Sequence, residues 1–330
     1  MAGIGSLLVK LKGINITCCF NNLGFFGWKE MFVNWSTAFP LIRNMIDQAI
    51  IELGVNCFRT IGAPDAVLGT SPPLTLATYL ARYSELISYV ESKGCYFEAT
   101  GGGWQNCQQL AGVDFSDSDI LSYLISFAQM ANAHPGVVGI DLIQEVNGWG
   151  KATSPSRTED QNVAFISGAI AAIKSAGVTK PLTFSLQPWG LYTTLWDLPI
   201  VAKMAPYVDY LNFHVYYYPF STADMAPALV YGKPIYIGEC GVAKSGALSY
   251  GGNRVNFINE LAVAITDPNL IGVCFWCLNE DATEADNFPW GLYDNIGNPY
   301  DLTAIAAFAN IPLGVPVSTS SGSIPAFMFF

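Results

Sequence analysis

The chain is 330 residues long, 51% hydrophobic and only 12% charged, which supplies the apolar material for one large core rather than two small ones. A net charge of −11 and a pI near 4.5 speak against nucleic acid as a partner, because phosphate binding draws on clustered Lys and Arg. No run of about 18 apolar residues offers a membrane span, and eight cysteines with two histidines suit neither a disulfide-built miniature domain nor a zinc site.

In chain order, residues 1–10 lack a basic n-region and carry only a short apolar stretch, so no signal peptide is visible; secretion would require one already removed. Short β-rich runs follow at 13–17, 56–61, 95–100, 137–143, 182–186, 210–215, 235–239 and 272–277. Amphipathic helices are expected between them at 40–53, 75–92, 117–132, 159–175, 197–205 and 253–266, with another at 302–309. The sixth-to-seventh connection is short and predicts a distorted helix around 222–230. Asp117 and Asp197 suit helix N-caps, and Gly54, Gly94 and Gly177 follow helix ends, where a left-handed residue is useful.

Strand starts fall 25 to 45 residues apart, the length of one βα unit, and the alternation predicts a (β/α)₈ TIM barrel over residues 1–311. Residues 312–330 read as a Pro/Ser/Gly linker ending in the apolar Phe327, Met328, Phe329 and Phe330. No G-x-G-x-x-G follows the first strand, which disfavours an open dinucleotide-binding sheet and leaves no expected cofactor. Gly101, Gly102 and Gly103 after the third strand mark a close backbone approach. Cys57, Cys240, Cys274 and Cys277 lie in apolar runs and read as buried free thiols. Cys274 and Cys277, three apart in a strand, face opposite sides and do not share a metal.

All eight tryptophans (Trp28, Trp35, Trp104, Trp149, Trp189, Trp196, Trp276 and Trp290) are placed at the C-terminal ends of strands or in the loops beyond, the face where barrels carry active sites. Flat indoles match the apolar face of a sugar ring, and Tyr216, Tyr217, Tyr218 and Tyr293 extend the set. Glu145 follows the fourth strand and Glu239 ends the seventh, so the two carboxylates face each other across the barrel. Glycosidic cleavage needs one carboxyl group to protonate the leaving oxygen and a second acting from the opposite side of the sugar.

The motifs, in order, resemble the clan A glycoside hydrolases, family 5 above all, over nearly the whole barrel. Arg59 in VNCFRT, Glu145 in DLIQEVN, His214 and Tyr216 in NFHVYYY, Glu239 in YIGECG and Trp276 in CFWCLNED match that family's pattern, and WGLYDNIGNPY resembles its closing loop. The resemblance implies a retaining enzyme with Glu145 as acid/base and Glu239 as nucleophile, the latter held ionised by Arg59 and hydrogen-bonded by Tyr216, with His214 on a sugar hydroxyl. Trp28, Trp104, Trp149, Trp189, Trp276 and Asn279 would bind substrate. An endo-acting β-glycanase on a neutral β-glucan or β-mannan is the expected function; an exo-acting β-glycosidase and a non-catalytic carbohydrate-binding barrel are the alternatives. Two departures stand out. Gln144 replaces the family's Asn, which contacts the 2-hydroxyl, with Glu98 or Asn279 as substitutes for that contact. The usual histidine after the third strand is missing, and Glu98, Thr100 and the glycine triplet stand there instead. His134, before the fourth strand, lies at the end that carries stability and reads as structural.

Overall fold

The apolar runs form parallel strands β1 (Leu11–Asn15), β2 (Cys57–Ile61), β3 (Tyr96–Thr100), β4 (Val137–Asp141), β5 (Leu182–Thr183), β6 (Ser185–Leu186), β7 (Leu211–Val215), β8 (Ile235–Cys240) and β9 (Leu270–Phe275). The computed structural model describes residues 9–17, 27–103, 107, 115–148, 157–187, 198–242, 253–279, 290–294 and 297–313. Sheet order is β5-β4-β3-β2-β1-β9-β8-β7-β6. The two edge strands are halves of one five-residue segment interrupted at Phe184, so the sheet closes on itself and the nine strands occupy eight barrel positions. The (β/α)₈ expectation holds, with the fifth strand split.

The first strand begins two residues earlier than its apolar pattern suggests, because Lys10 and Lys12 lie where the pattern is polar. Lys12 is nonetheless buried, its ammonium donating to the carbonyls of Ala309 and Ile311. After a short helix Trp28–Val33, the helix expected at 40–53 runs Trp35–Gln48, starting before Pro40 and carrying it inside, then widens into a π-helical turn, Ala49–Leu53. A proline there leaves one carbonyl unpaired; burial of Trp35, Ala38, Phe39 and Ile42 on one face offsets that loss. Helix Asp117–Asn132 is capped by Ser116 in a capping box with Asp119, and not by Asp117, whose carboxylate pairs with Arg157. Helices Leu76–Ser92, Glu159–Ser175, Arg254–Ala264 and Leu302–Ala309 lie close to their predicted ranges and are capped by Thr75, Thr158, Asn253 and Asp301. Gly54, Gly94 and Gly177 have φ of 62, 74 and 87°. The short β7-to-β8 link is a 3₁₀ turn, Thr222–Met225, followed by Ala226–Leu229.

Barrel and helices enclose one large apolar cluster, while the barrel's lower interior is filled by Leu11, Cys57, Val138, Tyr210, Tyr236 and Cys274. The six described cysteines are free and buried. Gly62, Gly101 and Gly102 bring three loops into backbone contact: a Cβ on Gly62 would stand 2.2 Å from the Gly101 carbonyl oxygen, and one on Gly102 would meet Pro64. Among the described residues, no helix is long and apolar enough to cross a membrane. Trp104, Trp149, Trp189, Trp196, Asp197 and residues 314–330 lie outside the described set.

Candidate active site

A glycine sets the geometry of the C-terminal end. Between β7 and β8 the pairing passes from Phe213↔Ile237 to His214↔Glu239, leaving Gly238 as an extra residue in a bulge. Its N–H donates to Asn212 Oδ1 at 2.9 Å, and a Cβ there would stand 2.4 Å from that same oxygen. The bulge puts Glu239 directly opposite His214 at the mouth of the barrel.

Arg59, fully buried at the end of β2, is the hub beneath them. One terminal nitrogen donates to Glu239 Oε1 at 2.5 Å and to Asn15 Oδ1 at 2.9 Å. The other donates to Asp141 Oδ2 at 3.0 Å and to Gln144 Oε1 at 3.3 Å. Glu98 Oε2 lies 3.1 Å from Nε, while Glu98 Oε1 accepts from Tyr210 and Asn212. Three carboxylates thus converge on one guanidinium, which stays protonated.

Burial pushes the Glu239 carboxyl above the usual carboxylate range. Arg59 and Tyr216, whose hydroxyl donates to Oε2 at 2.6 Å, pull it back without reversing the shift. The expectation that Arg59 leaves Glu239 with a lowered pKa is therefore corrected: desolvation outweighs the pairing, since the guanidinium is shared with Glu98 and Asp141. Burial likewise pushes Glu98 up to about 8 and Asp141 upward.

Glu145 enters from the turn after β4. His214 Nδ1 stands 2.8 Å from Glu145 Oε1 and 3.3 Å from Glu239 Oε2. Burial and the nearby Arg59 hold this imidazole well below its ordinary pKa, which favours the neutral ring, with Nδ1 lying between the carboxyl groups. His214 therefore bridges the two glutamates through Nδ1, while its Nε2 has no hydrogen-bond partner among the described residues. Glu145, His214 and Glu239 each offer a ligand atom within 4.8 Å of the others. They are the one group of metal-ligand chemistry among the described residues, and in it the imidazole nitrogen is already engaged by both carboxyl groups.

An aromatic wall stands beside them. Trp276 packs 6.2 Å from Trp28, and Tyr216 meets Trp290 edge-on at 5.3 Å. Trp28 Nε1 is buried without a hydrogen-bond partner among the described residues. The Trp276–Cys277 peptide is cis.

Other predicted site residues go elsewhere. Trp35 is core, stacked on Phe39 and donating to Glu85. Tyr293 donates to Glu52 and Tyr217 to Asp224, away from the carboxylates. Asn279 is fully buried, its Oδ1 accepting from Thr17 N–H, so it ties strand ends together. Glu98 lies beneath Arg59 and fully buried, which rules it out as a substitute for a sugar contact. His134 bridges Ser84 and Glu91 between helix and strand start, a structural position. Asn15 and Asp141, both on Arg59, went unnoticed in the sequence. The acidic residue four before Glu145 was the available signal for Asp141.

No protein-family model matches the chain, and a search of curated proteins found no match. Solved structures do match. A GH5_18 glycoside hydrolase from Streptomyces cattleya, solved with Manβ1-4GlcNAc, superposes with a TM-score of 0.65 at 16% identity, over 90% of this chain and 79% of that one. The chain has the barrel fold of family 5 glycoside hydrolases. A GH5_18 protein from Bifidobacterium longum subsp. infantis gives a TM-score of 0.64 at 14% identity, over 92% of this chain and 79% of that one. An exo-β-1,4-mannosidase from Opitutaceae bacterium strain TAV5 gives 0.67 at 15% identity, over 94% of this chain and 60% of that one.

Proposed function

We propose that the protein is a retaining β-glycoside hydrolase of the family 5 type, with Glu145 as general acid/base and Glu239 as nucleophile. One observation carries it: the two carboxyl groups are bridged by a neutral imidazole with ligand atoms within 4.8 Å, and one of them is gripped by Arg59 and Tyr216. A separation of about 5 Å suits double displacement, whereas inverting pairs stand roughly 6.5–9.5 Å apart to admit a water.

Glu239 attacks the anomeric carbon, the bond from that carbon to the leaving oxygen breaks, and Glu145 gives its proton to that oxygen. A water then loses a proton to Glu145, attacks the same carbon and frees Glu239. Glu145 carries the acid proton in this reading, and His214 Nδ1 beside its Oε1 holds the carboxyl group in place. The aromatic wall of Trp28, Trp276 and Trp290 receives the sugar face.

The substrate we propose is a neutral β-linked glycan, of β-mannan or β-glucan type. Similarity to a structure holding Manβ1-4GlcNAc and to an exo-β-1,4-mannosidase favours β-mannosides within that class, and supports exo action beside the endo action that the many tryptophans suggest.

The test is sugar release from β-1,4-mannan, β-glucan and Manβ1-4GlcNAc, with products sized and the first anomer read by NMR. We expect the β-anomer first, mannose alone for exo action and oligomers for endo. Glu145→Ala and Glu239→Ala should each lower turnover by about 10³-fold or more while remaining folded, and azide should partly restore Glu145→Ala on an activated aryl glycoside. An α-anomer formed first, or full turnover in either variant, would sink the assignment.

A further inference from the structure

Glu145 has φ 55°, the one positive value at a non-glycine residue among the described residues. A long side chain keeps that conformation only where its surroundings hold it. Its peptide is gripped on both sides: the N–H donates to Ser185 Oγ at 3.1 Å, and the carbonyl accepts from Gly148 N–H at 2.8 Å. Ser185, fully buried, gives its hydroxyl proton to Asp141 Oδ2 at 2.7 Å and its N–H to Asp141 Oδ1 at 3.0 Å. A hydroxyl has one proton to donate, so bonding to Asp141 turns the oxygen's lone pairs toward Glu145 N–H. Asp141 Oδ2 also takes Arg59, and Arg59 takes Glu239.

A continuous hydrogen-bonded chain therefore runs Glu239, Arg59, Asp141, Ser185, Glu145. The fifth strand breaks at the same place: with its N–H committed to the Asp141 side chain, Ser185 does not extend the β5 ladder on β4, which ends at Asp141↔Thr183. The interruption that looks like a defect in the barrel is where its backbone is diverted to the site.

We propose that Asp141 and Ser185 are positioning residues that tie the two catalytic carboxyl groups together, Ser185 holding Glu145 in its left-handed backbone and Asp141 fixing both Ser185 and Arg59. The inference rests on Glu145 being the acid. Ser185 touches only the Glu145 arm, while Asp141 touches both, so the two should separate by leaving group. A dinitrophenolate departs without a proton; a phenolate needs one.

The experiment measures kcat/KM on 2,4-dinitrophenyl and phenyl β-mannosides, or the β-glucosides if the glycan panel releases glucose. Ser185→Ala should lose about 10²-fold on the phenyl glycoside, within the range a general acid contributes, and under about threefold on the dinitrophenyl one. Ser185→Thr, which keeps a hydroxyl, should recover most of the loss. Asp141→Asn should slow both substrates. Glu145→Ala is the control and should show the leaving-group split most strongly. An equal loss on both substrates in Ser185→Ala, with the split intact in Glu145→Ala, would overturn the positioning role alone. Absence of the split in Glu145→Ala would overturn the acid assignment and the inference with it.

Discussion

At the strand-start end of the barrel, Lys10, Lys12 and Lys180 each direct an ammonium onto two main-chain carbonyls: Asp267 and Leu270, Ala309 and Ile311, Pro135 and Val137. At the strand-finish end, Glu98, Asp141 and Glu239 gather around Arg59, with Glu145 joined through Ser185. The lower charges are satisfied by backbone that is there whatever the neighbouring side chains are. The upper ones are satisfied by each other. Removing a lower charge strands neutral carbonyls only, whereas removing an upper one strands ionisable partners that are costly to leave alone in the interior. The lower end is built to be tolerant and the upper end to be exact in geometry, the division expected of a barrel whose chemistry sits at one face.

Arg59→Met should break this contrast most severely. It leaves three buried carboxylates with no guanidinium, at a cost of about 3–5 kcal/mol for a broken buried pair. It should also lower kcat by about 10²–10³-fold, the range for removing one electrostatic partner of a reacting charge. The sign with pH follows from burial. Folded carboxyl groups raised above their unfolded value give stability that is present at low pH and lost as pH rises, and Glu239, Asp141 and Glu98 are all raised. Without Arg59 they rise further, so the melting-temperature deficit of the variant should be larger at pH 7 than at pH 4. With Glu239 as nucleophile, the acid limb of the rate profile should lie above the ordinary carboxylate range, because burial raises that carboxyl group, and should move higher still in the residual activity of the variant. An acid limb that stays in place in a folded variant would separate Arg59 from the nucleophile.

Lys12→Met probes the other end and should leave kcat within about twofold, because the strand-start face carries stability. Burial lowers the folded pKa of Lys12 to about 8, against roughly 10.4 unfolded. Between those values the unfolded chain binds more protons, so wild-type stability rises with pH. The wild type should therefore gain on the variant from pH 8 toward pH 10 in paired denaturant titrations. A constant difference across that window would mean that Lys12 titrates alike folded and unfolded.

The sequence made the same division only partly legible. Strand positions and helix ranges could be read from local pattern, and so could Glu145 and Glu239, each a carboxylate closing an apolar run; Arg59, His214 and Tyr216 were legible only through the resemblance of their motifs to family 5. What could not be read depends on which residues meet across the barrel. Asn15 and Asp141 fall inside the apolar runs 13–17 and 137–143 of the sequence and look like isolated polar residues until Arg59 reaches them from 44 and 82 positions away. Ser185 needed the bend at Phe184, and the bulge at Gly238 needed the Asn212 amide beside it. Trp35 shows the converse error: placement in a loop region beyond a strand did not reveal that its ring faces inward, onto Phe39. Desolvation was the other missing quantity, since the pull of Arg59 on Glu239 is visible in the sequence and the burial that outweighs it is not.

Gln144 lies at the edge of the upper network and should give a smaller effect than Arg59. Its Oε1 accepts from Arg59, as part of the upper network, while its Nε2 has no hydrogen bond among the described residues. Nε2 of this longer amide is expected to donate to the sugar 2-hydroxyl while Oε1 stays on Arg59. Gln144→Ala should lower kcat about tenfold with little change in KM, because a bond to the 2-hydroxyl strengthens as charge develops on the ring. Two causes remain to be separated, the lost sugar contact and a loosened Arg59. A 2-deoxy substrate separates them. If Nε2 makes the contact, removing the hydroxyl should cost wild type about as much as the mutation does and cost the variant little more, so the two losses do not add. If the deoxy penalty is equally large in both proteins, the loss comes through Arg59, the acid limb should move upward with it, and the 2-hydroxyl contact belongs to another residue.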